Sequence, residues 1–186
     1  MIINLKGSNG AGKSHLVRQI MKTYSRQIEM QYPPGRGRKR QPIGYLLQNG
    51  EKQKPLFVPG HYRIANGGLD TIQDLNVAYA LILEHHNLGA NVLYEGMNMS
   101  DGSTRILRLK FLVPDTRVIL INPPLKTCVD SVKMRGHKIS EKTIERLYHK
   151  GMRDIEKLKS GGVSCLVLSR QKALEQLTAW LTVDQS

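Results

Sequence analysis

The eight residues Gly7-Ser8-Asn9-Gly10-Ala11-Gly12-Lys13-Ser14 constrain this chain more than any other stretch. They fit G-x-x-x-x-G-K-[ST], placed between a short apolar run and a helical pattern. Glycines at these positions let backbone N–H groups turn inward around phosphate oxygens, and the helix opening at Gly12–Lys13 adds its positive end. Lys13 is expected to reach the β- and γ-phosphates of a nucleotide, and the Ser14 hydroxyl to ligate Mg²⁺. Such a loop presupposes a strand before it and a helix after it.

The rest of the chain repeats that alternation. Ile2 to Lys6 reads as a short strand, and residues 13–30 as a helix carrying Leu16, Val17, Ile20, Met21, Tyr24 and Ile28 at helical spacing. Ile43 to Leu47 and Pro55 to Val58 read as short strands separated by Asn49-Gly50, and Pro59 to Gly68 as a long polar loop. Asp70 to Asn87 reads as a helix, with Ile72, Leu75, Tyr79, Ile82 and Leu83 on its buried stripe and Gly89 as its stop. Asn91 to Tyr94 is a strand, Thr104 to Leu112 a helix, and Arg117 to Asn122 a nearly wholly apolar strand. Cys128 to Arg135 and Ser140 to Lys159 are helical, Val163 to Leu168 is a last strand, and Gln171 to Leu181 a closing helix. Apolar strands that do not alternate with polar residues are buried on both faces. The expected fold is therefore α/β, a mostly parallel central sheet with helices on both faces, in one domain spanning 1–186.

Composition narrows the class further. Hydrophobic residues make up 40% and charged residues 23%, which excludes a disordered chain. A chain of 186 residues buries enough surface to fold without a disulfide or metal staple. Cys128 and Cys165 are the two cysteines and lack metal-ligand spacing, so neither a disulfide-rich secreted fold nor a zinc module is expected. No apolar run approaches the ~18 residues of a membrane span, and residues 1–15 lack a signal-peptide core, so a cytoplasmic protein is expected.

The net charge is +13, and it is unevenly placed. Residues 1–60 hold 11 basic and 2 acidic residues, whereas residues 61–122 hold 5 and 6. The densest piece, residues 33–42, contains Arg36, Arg38, Lys39 and Arg40 among Pro and Gly, and reads as an exposed basic loop. It is either a solvated linker or a clamp on a phosphate backbone, and the clamp accounts better for the clustered repulsion. With no apolar face to insert, the loop does not suit a membrane surface. A second basic series, Lys142, Arg146, Lys150, Arg153 and Lys157, falls on one helical face, as a phosphate-facing stripe or a salt-bridged surface. Arg146 and Arg153 are its candidates for nucleic-acid contact.

Phosphoryl transfer to a hydroxyl needs a carboxylate to orient and deprotonate the acceptor, and a group to help hold Mg²⁺ beside Ser14. Glu95 ends the strand at the carboxyl edge of the sheet, where ligands bind in this architecture, and suits either role. Asp70 is the rival acid, with a helix N-cap as its alternative. Asp101 is third. His61 and Tyr62 lie in the long loop, either to stack an acceptor base or to pack the loop. His85-His86 reads as a helix C-terminal pair rather than a ligand site. No N-K-x-D guanine motif is present, and the Asn91–Tyr94 strand closes on Glu95-Gly96, which argues against GTPases and large ATPases.

The stretch from Val118 through Asn122-Pro123 to Arg135 resembles the strand–Pro–helix–Arg segment of nucleoside and nucleotide kinases, which leads into a lid. That resemblance implies a lid-like region at about 133–150, with Arg135 closing over the transferred phosphoryl group. With Gly7–Ser14 and Tyr94-Glu95-Gly96, it extends the likeness to the P-loop nucleotide-kinase fold over most of the chain. The short length, the basic loop and Gly60-His61-Tyr62 are more narrowly similar to bacteriophage 5-hydroxymethyluracil DNA kinases, which act in thymidine hypermodification. The resemblance implies ATP as donor at Gly7 to Ser14 and a hydroxymethyl group on a pyrimidine in DNA as acceptor. A small-molecule nucleoside or nucleotide kinase, a polynucleotide 5′-hydroxyl kinase and a non-catalytic ATP-binding nucleic-acid module remain the alternatives.

Overall fold

The computed structural model describes residues 1–32, 41–50, 53–63, 67–72, 74–96, 102–136 and 138–182. Among these, the strands are β1 (Ile2–Lys6), β2 (Arg26–Met30), β3 (Gly44–Gln48), β4 (Leu56–Pro59), β5 (Asn91–Glu95), β6 (Thr116–Ile121) and β7 (Ser164–Leu168). The α-helices are α1 (Lys13–Lys22), α2 (Leu75–Asn87), α3 (Ser103–Leu112), α4 (Leu125–Met134), α5 (Glu141–Ser160) and α6 (Arg170–Thr182). None of the described helices is long and apolar enough to cross a membrane.

The strands form one sheet in the order β2-β3-β4-β5-β1-β6-β7. From β4 to β7 every neighbouring pair is parallel, while β2 and β3 make an antiparallel edge. All five residues of β1 are buried, as a central strand covered on both faces requires. Ile3 and Leu5 belong to a core with Leu16, Val17 and Ile20 of α1, Cys128 and Val132 of α4, and Leu177 of α6. Ile2 joins Ile82 of α2, Val92 of β5 and Leu109 of α3 in a second core. Val118 and Leu120 pack with Ile106 of α3 and with Ile155 and Leu158 of α5.

After β1 the chain builds the β2–β5 side of the sheet, then crosses past β1 to β6. Connections diverge at the carboxyl edge of β1, which opens a crevice there. That edge carries Gly7 to Ser14.

Two expected helices are shorter than their patterns suggested. The helix expected over 13–30 ends at Lys22, and residues 26–30 form β2 against β3. Asn49 accounts for the break, because its Oδ1 accepts from Ser25 N–H (2.6 Å) and its Nδ2 donates to the Thr23 carbonyl (3.0 Å). Ile28 had matched a helical stripe, yet in β2 it is simply the half-buried member of an exposed edge strand. The helix expected from Asp70 begins at Leu75 instead. Asp74 caps it, accepting from Asn76 N–H at 2.8 Å, a bond worth about 1 kcal/mol. Leu69–Thr71 is a separate single 3₁₀ turn, so Asp70 is released from capping α2.

Candidate active site

Lys13 opens α1 and folds back over the loop, its Nζ donating to the carbonyls of Gly7 (2.9 Å) and Ser8 (3.2 Å). Only 8% of Lys13 is exposed, so its charge stands at the floor of the crevice. At the next residue of α1, Ser14 Oγ donates to Glu95 Oε1 at 2.7 Å. Parallel pairing of β1 with β5 sets Leu5 opposite Glu95 and so brings this carboxylate beside the loop that follows β1. Glu95 is 3% exposed. Burial pushes its carboxyl above the usual range, Lys13 and the Ser14 hydrogen bond pull it back, and nearby Asp70 pushes it up again.

Asp70 reaches the site by a close approach of the segment before it to β5. Gly68, at φ +93°, allows that approach, since a Cβ there would lie 2.4 Å from the Glu95 carbonyl oxygen. The segment is pinned by the His61–Gly68 bridge and by Thr71 Oγ1, which accepts from His61 N–H and donates to the Gly68 carbonyl. Asp70 itself is exposed and lines the cleft.

The cleft measures about 590 Å³. Its floor is the loop with Lys13, Ser14 and Glu95; one wall carries Ser131, Val132, Met134, Arg135, Ile139 and Arg170, and the other Arg18, Gly67 and Asp70. Arg135 follows α4 on the first wall, exposed, with Nε donating to the Ser131 carbonyl at 3.0 Å. The residues expected to form a lid, about 133–150, include the end of α4 and the first half of α5, whose N-cap is Ser140.

Arg170 is the functional candidate that sequence reasoning missed. It opens α6 and lines the cleft, and its guanidinium donates to the carbonyls of Gly10 (2.7 Å) and Ala11 (2.8 Å). Gly12 must be glycine partly for this reason: at φ +99°, a Cβ would come within 2.6 Å of Arg170 Nε. With those carbonyls turned to Arg170, the Gly12 N–H is directed the opposite way across its trans peptide. Its only sequence signal was a basic residue just past the last strand, at the same carboxyl edge.

His61 and Tyr62 do not offer faces for stacking. They are 3% and 6% exposed and form the interior of the wall. Tyr62 N–H donates to Tyr45 Oη (3.2 Å), and its carbonyl accepts from Arg18 Nε (3.1 Å). Burial drives the Tyr62 phenol well above its ordinary range, with Glu95 adding to the effect, so it stays neutral. His85 is likewise a packing residue, stacked on Phe57 at 3.6 Å. Arg146 and Arg153 stand exposed on α5 and lie outside the cleft lining. Between them the basic stripe is partly neutralised, since Asp154 takes both Lys150 (2.7 Å) and Lys6 (3.2 Å). Arg36, Arg38, Lys39, Arg40 and Asp101 lie outside the described residues.

The donor set fits a nucleotide with Mg²⁺. A hydroxyl and a carboxylate adjoin a loop that presents N–H groups and an ammonium, and Mg²⁺ takes few protein ligands, relying on phosphate oxygens and water for the rest. Among the described residues no cluster of three or more His, Cys, Asp or Glu forms a dedicated metal cage.

No family model matches the chain. Over 183 residues it is 31% identical to a 5-hmdU DNA kinase of Pseudomonas phage PaMx11, covering 95% of this chain and 94% of that one. Its fold is similar to that of the deoxyadenosine kinase from M. mycoides with bound dATP, with a TM-score of 0.50 and 16% identity over 98% of this chain and 100% of that one. The same enzyme with dCMP and dCDP gives 0.51 and 15%, over 97% and 98%. These likenesses establish a P-loop kinase fold. The chain is a phosphotransferase and belongs to the family of the phage 5-hmdU DNA kinase.

Proposed function

We propose that this kinase transfers the γ-phosphoryl group of ATP to the hydroxymethyl oxygen of 5-hydroxymethyluracil in DNA. The observation that carries the chemistry is the division of labour between two carboxylates in one cleft. Glu95 is buried with one oxygen already on Ser14, whereas Asp70 is exposed to the cleft. The phage relative's name, over 95% of the chain, supports the acceptor, and the charge of +13 suits a polyanionic one.

Backbone N–H groups of Gly7 to Ser14 and the Lys13 ammonium hold the β- and γ-phosphates. Ser14 Oγ and Glu95 would hold Mg²⁺, which neutralises charge on those phosphates. Asp70 orients the hydroxymethyl group and accepts its proton as the oxygen attacks the γ-phosphorus. The new O–P bond forms as the bond to the β-γ bridging oxygen breaks, leaving ADP and a phosphomonoester. Arg135, at the mouth of the cleft, meets the charge that spreads over the equatorial oxygens.

Arg36, Arg38, Lys39 and Arg40 supply the track for the DNA backbone, with Arg146 and Arg153 as outlying contacts. Neutralising all four loop cations lowers DNA affinity and flattens its dependence on salt, by up to about 0.9 in the log–log slope for each phosphate no longer neutralised, with ATP binding unchanged. The decisive experiment supplies γ-labelled ATP with hydroxymethyluracil DNA, unmodified 5′-hydroxyl DNA and free nucleosides, then digests the products. Label on the modified base is expected. Label on 5′ ends or free nucleosides overturns the reading, and ATP binding without any transfer points to a nucleotide-dependent binding module.

A further inference from the structure

We propose that the acceptor pyrimidine reacts as an extrahelical nucleotide, rotated out of duplex DNA into the space between the Gly67–Asp70 wall and α1. The inference rests on the base-kinase reading above and concerns the state in which that site takes its substrate.

The groups that would hold the γ-phosphate and Mg²⁺ lie at the bottom of a concavity, with Asp70 exposed on its side. Glu95 is 3% exposed and Lys13 8%, and walls rise on both sides, with Ser131, Arg135 and Ile139 on one and Gly67 and Asp70 on the other. In-line attack requires the hydroxymethyl oxygen to come within about 3–3.5 Å of the phosphorus. In a duplex, however, the pyrimidine C5 substituent points into the major groove, about 12 Å wide and about 8.5 Å deep. Oxygen and phosphorus would then each sit inside a hollow.

Meeting without base extrusion would require both walls of the cleft to enter the groove together. The end of α4 forms one of them, and a helix with its side chains is about 10–12 Å across. That helix fills the groove by itself and leaves no width for Gly67–Asp70 opposite. A base swung out of the stack is a projection, and it fits a hollow.

The acceptor side of the cleft offers the Gly67 backbone, packed so closely on Tyr62 that a Cβ there would lie 2.6 Å from its ring. Tyr62 thus backs the wall as a rigid support rather than stacking on the base itself. Arg18 is oriented by the Tyr62 carbonyl on Nε (3.1 Å) and the Ser14 carbonyl on Nη1 (3.4 Å), and so lines the cleft as a fixed planar cation. The base would lie along Gly67, with its hydroxymethyl group toward Asp70.

Extrusion makes the strength of the target base pair part of the barrier. Three duplexes with identical flanks test this, with hydroxymethyluracil opposite adenine, opposite guanine and opposite an abasic site. Single-turnover kcat/KM at sub-saturating DNA is read from label mapped to the modified base. The expected result is a rise of about tenfold or more from the adenine pair to the abasic partner, with guanine between them. With 2-aminopurine opposite the target and a non-hydrolysable ATP analogue, enzyme should raise the fluorescence. Equal kcat/KM in all three duplexes overturns the inference and leaves the base-kinase reading standing. Absence of label from hydroxymethyluracil in every duplex overturns both.

Discussion

The two halves of the cleft are made in different ways. The half proposed for phosphate is a run of eight consecutive residues, whose backbone N–H groups would do most of the binding. The half proposed for the acceptor is assembled from Arg18 on α1 and from Gly67 and Asp70 before α2, with Glu95 at the end of β5 between the two halves. Triphosphates look alike wherever they are bound, so one local strand–loop–helix unit can hold them. An acceptor must be recognised by its own shape, which takes side chains gathered from several places. The first half is therefore a property of the chain, and the second is a property of the fold.

If that division holds, the largest loss comes from the local half. Lys13→Ala removes the buried ammonium from the cleft floor and should lower kcat by about 10³-fold or more, with circular dichroism unchanged. Retained transfer would mean that the loop is not the site of the reacting phosphate. The next loss tests the assembled half. Asp70→Asn should lower kcat by about 10²–10⁴-fold while the KM for ATP stays where it was. Were Glu95→Gln to have that effect with an unaltered Mg²⁺ requirement, and Asp70→Asn to be mild, the two carboxylates would have to exchange roles.

The same division explains how much could be read in advance. Gly7–Ser14, the alternation of strands and helices, and Glu95 at a strand end were legible because each depends on spacing within a few residues. Asp70 was ambiguous in sequence, since an acid ahead of a helical stripe looks like its cap; only the cap bond from Asp74 separates the two. Tyr62 was read as a loop aromatic, and its burial follows from contacts with Tyr45 and Gly67 that no local pattern encodes. β2 was hidden because Tyr24 and Ile28, four apart, satisfy a helix as well as they do a connection after α1 and the middle of a strand. What broke the helix was Asn49, more than twenty residues away.

Arg170 blurs the comparison, because the local half leans on a residue 159 positions from Ala11. Its two bonds join a cation to carbonyls, each worth about 1.5–3 kcal/mol. Arg170→Ala should raise the KM for ATP by about ten- to a hundredfold with a smaller change in kcat. Arg170→Lys should recover only part, because one ammonium cannot reproduce the planar fork that serves Gly10 and Ala11 together. Added guanidinium should partly rescue the alanine variant. An unchanged KM would show that the loop holds its peptide orientations unaided and is as self-contained as its sequence suggests.

The smallest effect belongs to Glu95, where the two halves touch, and it concerns stability rather than rate. Burial is the largest influence on its carboxyl and raises its affinity for a proton above the ordinary 4.5; Lys13 and Ser14 oppose this without cancelling it. A raised value means that the folded chain holds the proton more tightly than the unfolded chain does. The stability it contributes is present at acid pH and is lost as pH rises through the folded value. At pH 7 unfolding therefore frees this carboxyl to ionise in water, which favours the unfolded chain. Glu95→Gln keeps Oε1 as an acceptor for Ser14 but cannot ionise. It should raise the midpoint of thermal unfolding at pH 7 by on the order of a few degrees, at about 2–4 °C per kcal/mol for a chain of this size. The advantage should shrink as pH falls below the ordinary carboxylate value, where the native carboxyl is neutral too. A variant less stable than the native protein at pH 7 would show that attraction to Lys13 outweighs burial, and that the fold gains stability from its site instead of bearing a cost for it.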